Sequence, residues 1–231
     1  MRRYFNTEGV CIPDIHYMVR IDDRLDRIKR MYVDREKYFV INRGRQYGKT
    51  TTLKALEEYL EENYLVIAMD FQMMSMANFA NEKIFVTKFI GQIENSLSRK
   101  KKRIKDLDNV LDSLVSLKTD ENVSMDTMFE RLSKMCKISQ KPIVLMIDEV
   151  DSASNNQVFI DFLAQLRGYY LDRENRSTFH SVIFAGVYDI KNLKLKLRTE
   201  EEHQYNSPWN IAADFDIDMN FSTDQITDML G

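Results

Sequence analysis

Residues 38–53, from Tyr38 to Leu53, read YFVINRGRQYGKTTTL. Tyr38, Phe39, Val40 and Ile41 form a compact β-rich run, followed by a loop holding Gly44 and Gly48. A helical pattern then runs from Lys49 to about Asn63. Strand, loop and helix in this order aim unpaired backbone N–H groups and a partial positive charge at whatever sits in the loop. Phosphate is the ligand this arrangement suits. Gly48 permits close backbone approach. Lys49 reaches the β- and γ-phosphates, and the Thr50 hydroxyl ligates magnesium. Arg43, Gly44, Arg45, Gln46, Tyr47, Gly48, Lys49, Thr50 and Thr51 are the expected phosphate-binding residues. The pattern for such loops is GxxxxGK[ST]. Gly48, Lys49 and Thr50 match it, but the first glycine position falls on Arg43 and Gly44 stands one place late. The departure touches the start of the loop, not its phosphate-contacting end.

A second segment complements the first. Residues 143–149 read IVLMIDE, an apolar strand closing on two acids. In open α/β sheets ligands bind outside the carboxyl ends of strands, where this pair would lie. Asp148 is the expected magnesium partner of Thr50, and Glu149 the residue that orients and activates an attacking water. Lys49 and Glu149 are thus the expected catalytic residues. An acid directly after the magnesium aspartate suits hydrolysis. No NKxD guanine-reading motif follows the fourth strand. The nearest fragment, Leu117-Lys118-Thr119-Asp120, lacks the Asn and precedes the acidic strand, which favours ATP over GTP.

Further strands are expected at Tyr64–Phe71, Ser181–Gly186 and Phe215–Phe221. Helices are expected at 22–32, with Leu25, Ile28 and Met31 on one face, at 83–102, at 125–138 and at 158–171. Residues 103–123 are polar and carry no assignment. Ser222 opens a last helix with Gln225 three residues on, a capping box. Strands alternating with helices give an α/β fold with a mainly parallel sheet. Continuous apolar strands point to burial on both faces.

Composition narrows the class. The chain has 231 residues, 44% of them hydrophobic, with 7 Gly and 3 Pro, which excludes disordered and collagen-like readings. A net charge of −3 gives nucleic acid no global electrostatic help. Two distant cysteines, Cys11 and Cys136, offer no metal-ligand spacing and fit a reducing cytoplasm. No stretch approaches the roughly 18 apolar residues a membrane span requires. A cytoplasmic protein is expected.

Five segments carry a family resemblance: RYFNTEGVCIPDIHYMV from Arg3, NRGRQYGKTTTL from Asn42, IVLMIDEVD from Ile143, VIFAGVYDIKNLK from Val182 and YNSPWNIAADFDIDMNFS from Tyr205. Together they resemble bacterial AAA-like ATPases, near the archaeal-type and STAND groups of P-loop NTPases. The resemblance implies a three-layer αβα core with a sheet of order 5-1-4-3-2, an additional strand lying between the phosphate-loop strand and the acidic strand. It implies ATP and magnesium as ligands, and homo-oligomers if a neighbouring subunit supplies an arginine finger. Arg167, Arg173, Arg176 and Arg198 are the candidates for that finger. Asp151 completes a DExD-like end, with a helix N-cap as its plain alternative. Residues 186–189 end the fourth strand without an Asn or Thr sensor. The expected divisions are an N-terminal segment at 1–36 packing on the core, an ATPase core at 37–221, and at 222–231 the start of a helical lid that is cut short.

Other features admit two readings. Ser98–Lys105, SRKKKRIK, is either a nucleic-acid patch or the solvated cationic end of a helix. His16 and Tyr17 either meet an adenine base or pack locally, and Trp209 either fills the core or caps the base pocket. Three functions compete: an ATP hydrolase acting as a conformational switch, a nucleotide-gated binding module with little hydrolysis, and a nucleic-acid-associated ATPase. The macromolecular partner is not legible.

Overall fold

The computed structural model describes residues 3–6, 9–44, 46–100, 107–187 and 210–230. Four parallel strands form one sheet: β1 (Tyr38–Asn42), β2 (Leu65–Asp70), β3 (Ile143–Asp148) and β4 (Ser181–Gly186), in the order β1-β4-β3-β2. Their alternate side chains feed two separate cores. Tyr38, Val40, Ile67, Leu145, Ile147 and Phe184 enter one, and Phe39, Ile41, Val66, Val144, Met146 and Ile183 the other. Burial on both faces is what the uninterrupted apolar runs require.

Helices α1 (Asp22–Ile28) and α2 (Lys49–Leu60) cover the second face. Helices α3 (Glu82–Ser98), α5 (Met125–Ile138) and α6 (Gln157–Leu171) cover the first. Capping explains where two of them start. The Asn81 side chain accepts from Ile84 N at 2.9 Å. Ser124 and Thr127 form a capping box ahead of α5. Phe71, Phe85, Phe89, Phe159 and Phe162 interlock between these helices, all fully buried. Each such burial contributes about 1.5–3 kcal/mol. The outer edge of β2 is not left open, because Ala68 N donates to the buried Ser96 Oγ of α3 at 2.9 Å.

The unassigned stretch 103–123 contains a helix, α4 (Asp108–Ser116). Its nine residues bury Leu114, and the flanking Leu107 and Leu117 are buried too. Val110, Leu111 and Val115 pack beside them, so an apolar stripe at helical spacing lies within a stretch that reads as polar, and packing against α3 and α5 buries it. The helix expected over 22–32 also differs. After α1 the backbone takes a π turn over Lys29–Val33, with Asp34 N donating to Lys29 O at 2.8 Å. The wider turn shifts the inward face, so Tyr32 and Val33 are buried while Met31 is exposed.

The expected strand at Phe215–Phe221 is not among the described strands. Of the order 5-1-4-3-2 the sheet shows 1-4-3-2. The place beside β1 is taken by an extended segment that makes one parallel bridge, Phe39 to Ala213, through Ala213 N to Tyr38 O at 2.8 Å. Beyond it, side chains replace the ladder. Tyr32 OH donates to Asp214 O at 2.9 Å and accepts from Asp216 N at 2.9 Å. Arg43 Nη2 donates to Phe215 O at 3.1 Å and Ile217 O at 3.2 Å. Arg24 Nη2 donates to Met219 O at 3.0 Å and Asn220 O at 3.1 Å. Phe215 stacks on Phe39 with 5.8 Å between centroids, and Ile217 and Met219 are buried beside it. The chain then enters α7 (Thr223–Leu230), capped by Ser222 and Gln225 as the sequence suggested.

The Tyr32 hydroxyl serves one donor and one acceptor of a segment that lacks a ladder. Tyr32→Phe leaves both without that partner and is expected to cost about 1–3 kcal/mol of unfolding free energy. Urea titration with an unchanged slope checks this. A loss below about 0.5 kcal/mol would show that water replaces the hydroxyl.

Candidate functional site

The end of β1 and the start of α2 enclose the loop at 43–48. Gly48 has φ 70° at the N-cap of α2, a left-handed conformation that glycine adopts without strain. Gln46 shares it at φ 64°. Gly44 gives room to the Tyr47 ring, whose nearest carbon would lie 3.3 Å from an added Cβ. Arg45 lies outside the described residues.

Lys49 is buried in the first turn of α2. Its Nζ donates to Arg43 O at 2.8 Å and Gly44 O at 2.9 Å, so the ammonium closes the loop on itself. The Arg43 guanidinium points elsewhere, to the carbonyls of Phe215 and Ile217 described above. Only its backbone belongs to the loop's inner face. Thr50 Oγ1 donates to Asp148 Oδ2 at 2.7 Å, joining α2 to the carboxyl end of β3. Thr51 follows on the same first turn, half-buried.

Four acids gather near this junction. Asp70 ends β2 in register with Asp148. Glu149 follows Asp148 with φ 52°, and its N–H donates to Asp148 Oδ1 at 2.9 Å. Left-handed backbone at a non-glycine residue is strained and concentrates at functional sites. Burial, then the Asp148 charge, pushes the Glu149 carboxyl above its ordinary value, with Lys49 pulling the other way. Burial likewise raises Asp70, opposed by the bond its carboxylate accepts from Gln72 N and reinforced by Asp148. Asp70 was absent from the residues picked out in the sequence, although YLVIAMDF ends its apolar run on that acid.

Asp151 does not cap a helix. It lies within a 3₁₀ turn, Val150–Ala153, and α6 is preceded by Asn156. Its carboxylate accepts from Val187 N and lies over Gly186, where an added Cβ would stand 3.0 Å from both oxygens. It thereby ties the end of β3 to the end of β4, a link that Gly186 makes room for.

Among the described residues no group of three or more His, Cys, Asp or Glu could hold a metal ion. The Thr50 hydroxyl and Asp148 carboxylate at 2.7 Å do fit magnesium, a hard cation usually held by one or two protein oxygens plus phosphates and water. His16 and Tyr17 pack locally: His16 Nδ1 accepts from Ile12 N at 2.8 Å, and Tyr17 lies against Phe5. Lys100 is paired with Glu57 of α2 and with Glu61 just past its end, each at 2.5 Å, and Arg99 donates to Asn95 O at 3.2 Å, while residues 101–105 of the run lie outside the described residues. Arg167 meets Asn210, Arg173 the Tyr170 carbonyl and Arg176 Asp172, each within this chain. Arg198, Trp209 and the tip of β4 at 188–189 lie outside the described residues. No helix among the described residues is long and apolar enough to cross a membrane.

A family model described as AAA-like domain matches residues 27–230. A search of curated proteins returns no match. Among solved structures, a Walker-type ATPase of Pyrococcus abyssi is similar at TM-score 0.60 and 13% identity, over 97% of this chain and 60% of that one. This likeness supports the fold. The ORC2 protein of Aeropyrum pernix, in ADPNP–ADP complexes, aligns at TM-score 0.49 and 10% identity over 78% of this chain and 47% of that one. Cdc6p of Pyrobaculum aerophilum aligns at TM-score 0.48 and 15% identity, over 91% and 48%. The chain thus spans less than two thirds of each of these proteins.

The Glu149 carboxyl titrates above its ordinary 4.5 in the folded protein, so folding binds an extra proton between the two values. Stability attributable to this group is therefore present at low pH and falls as pH rises through that window. Glu149→Gln is expected to match wild type below about pH 4 and to exceed it near about pH 7. Urea titrations across pH check this, and a difference that does not vary with pH would refute the coupling.

Proposed function

We propose that this chain, which belongs to the AAA-like domain family, binds ATP with magnesium at the loop 43–51 and hydrolyses it as a conformational switch. Family membership supports a nucleotide-binding, ATPase-like role. The observation that carries the finer reading is the junction of Lys49, Thr50, Asp148 and Glu149 at the carboxyl edge of a parallel sheet. Two segments distant in sequence meet there through a 2.7 Å hydrogen bond.

Each side chain has a task suited to its chemistry. Lys49 exchanges the Arg43 and Gly44 carbonyls for phosphate oxygens, which bind an ammonium more strongly because they are charged. Backbone N–H groups at the start of α2 face the same phosphates. The Thr50 hydroxyl and Asp148 would hold magnesium, which when bound neutralises charge on the phosphate oxygens. Glu149 accepts a proton from the attacking water. Its raised carboxyl makes it a better base than an exposed glutamate. We read residues 1–36 as a segment packing on the core, 37–221 as the ATPase core, and 222–231 as the start of a helical lid.

A second reading, a binding module with little hydrolysis, is favoured by Arg43 standing where the loop pattern has glycine. Nucleic-acid binding draws less support, since Lys100 is already neutralised by Glu57 and Glu61.

Calorimetry of ATP with magnesium separates these readings. Lys49→Ala removes charge-assisted bonds worth about 1.5–3 kcal/mol and is expected to weaken binding by about 10- to 150-fold. Equal affinity in wild type and variant would remove Lys49 from the site. Glu149→Gln is expected to retain ATP while turnover falls by about 100-fold or more. A wild type that binds ATP but turns over no faster than Glu149→Gln would instead establish the binding module.

A further inference from the structure

Arg43 occupies the first glycine position of the phosphate-loop pattern, and its contacts run in two directions at once. Toward the loop, its carbonyl accepts from Lys49 Nζ at 2.8 Å. Its N–H donates to Gly186 O at the end of β4, at 3.2 Å. Away from the loop, Nη2 donates to the carbonyls of Phe215 and Ile217, at 3.1 and 3.2 Å, and the guanidinium lies over the Phe215 ring, 5.5 Å from its centroid. Nη1 donates to Asn42 O and Oδ1 at 3.0 and 3.2 Å, which fixes the side chain from its other end.

We propose that Arg43 is a positioning residue that couples the phosphate loop to the extended segment 213–219 leading into α7. The inference rests on the ATP reading above. The Lys49 ammonium has three donors and spends two of them on the carbonyls of Arg43 and Gly44, so reaching two phosphate oxygens takes at least one bond from these carbonyls. Arg43, one of the two acceptors, also holds two carbonyls of the segment. That segment is built to respond. It has one backbone bridge to β1, and beyond that bridge the side chains of Tyr32, Arg24 and Arg43 bind its backbone. It runs directly into α7, a helix that buries none of its residues. A change at the loop thus shifts the placement of the segment, and by reciprocity the segment's placement biases affinity at the loop. A glycine at position 43 could satisfy the loop but could not reach residues 215 and 217. Lysine could reach but presents a single ammonium in place of a planar fork.

The test is hydrogen exchange of the amides at 213–218 in the full chain, read with and without magnesium and a non-hydrolysable ATP analogue, beside the dissociation constant of that analogue. In wild type the analogue is expected to change exchange across 213–218 by about threefold or more. In Arg43→Gly, which restores the glycine of the pattern, exchange there is expected to be faster without ligand and unaltered by it. The dissociation constant of each protein sets the analogue concentration, so that exchange is compared with wild type and variant both saturated. Arg43→Lys is expected to lose the ligand response in the same way, and it decides the matter if Arg43→Gly does not fold. A ligand response retained in either variant, or a wild-type segment unmoved by bound analogue, overturns the coupling. A wild type that binds no analogue overturns the ATP reading and the coupling together, an outcome distinct from binding without movement.

Discussion

A parallel sheet buried on both faces leaves polar residues one place to go. Within β1, β3 and β4 almost every side chain enters one of two apolar cores, so charge can appear only where the strands run out. At the carboxyl ends, β2 delivers Asp70, β3 Asp148 and β1 the loop beginning at Arg43 to one edge, because parallel register aligns the strand ends there. The position of the candidate site is a consequence of sheet direction. Helix α2, which must start at that same edge to return along the face, brings its N-terminus and Lys49 to the acids.

Charge at that edge is unbalanced. Asp70, Asp148, Glu149 and Asp151 lie near one another, with Lys49 acting on Glu149 and Lys54 on Asp70, and the carboxyls of Asp70 and Glu149 are raised by burial and mutual repulsion. Hydrogen bonds hold three of the four carboxylates: Thr50 and the Glu149 N–H bind Asp148, Gln72 N binds Asp70, and Val187 N binds Asp151. Carboxylates fixed by the fold in this way are the kind of charge arrangement that electrostatic preorganisation requires.

The far side of β1 shows a different solution to an open sheet edge. A fifth strand would satisfy the backbone of β1 by a ladder. Here one bridge at Ala213 is followed by side-chain bonds from Tyr32, Arg43 and Arg24, and by Phe215 stacked on Phe39. The segment is held to the core by contacts that can be exchanged singly, whereas a ladder breaks cooperatively.

Four strand positions were legible in the sequence because apolar runs in a doubly buried sheet are uninterrupted; strand Ser181–Gly186 and helix Met125–Ile138 match the structure residue for residue, while Phe215–Phe221 is not a described strand. The meeting of Thr50 with Asp148 was legible because a loop leading into a helix and an acidic strand end come to the same edge of a parallel sheet. Helix α4 went unassigned, although Leu107, Val110, Leu111 and Leu114 recur at helical spacing, because the charged and polar residues between them dominate the stretch. The shift of Tyr32 into the core was not legible, because it follows from a π turn that leaves no mark on periodicity. Asp151 read as the close of a DExD-like end or as a helix cap, and it binds the end of β4, a partner 36 positions away. Arg43 read as a flawed glycine position, yet its partners lie more than 170 residues downstream. The sequence by itself determined what is periodic or local: four strands, most helices and the residues of two motifs. Tertiary structure alone decided which side chains satisfy the backbone of a distant segment, because hydrogen bonds between remote residues depend on where the chain returns, and no spacing in the sequence encodes that.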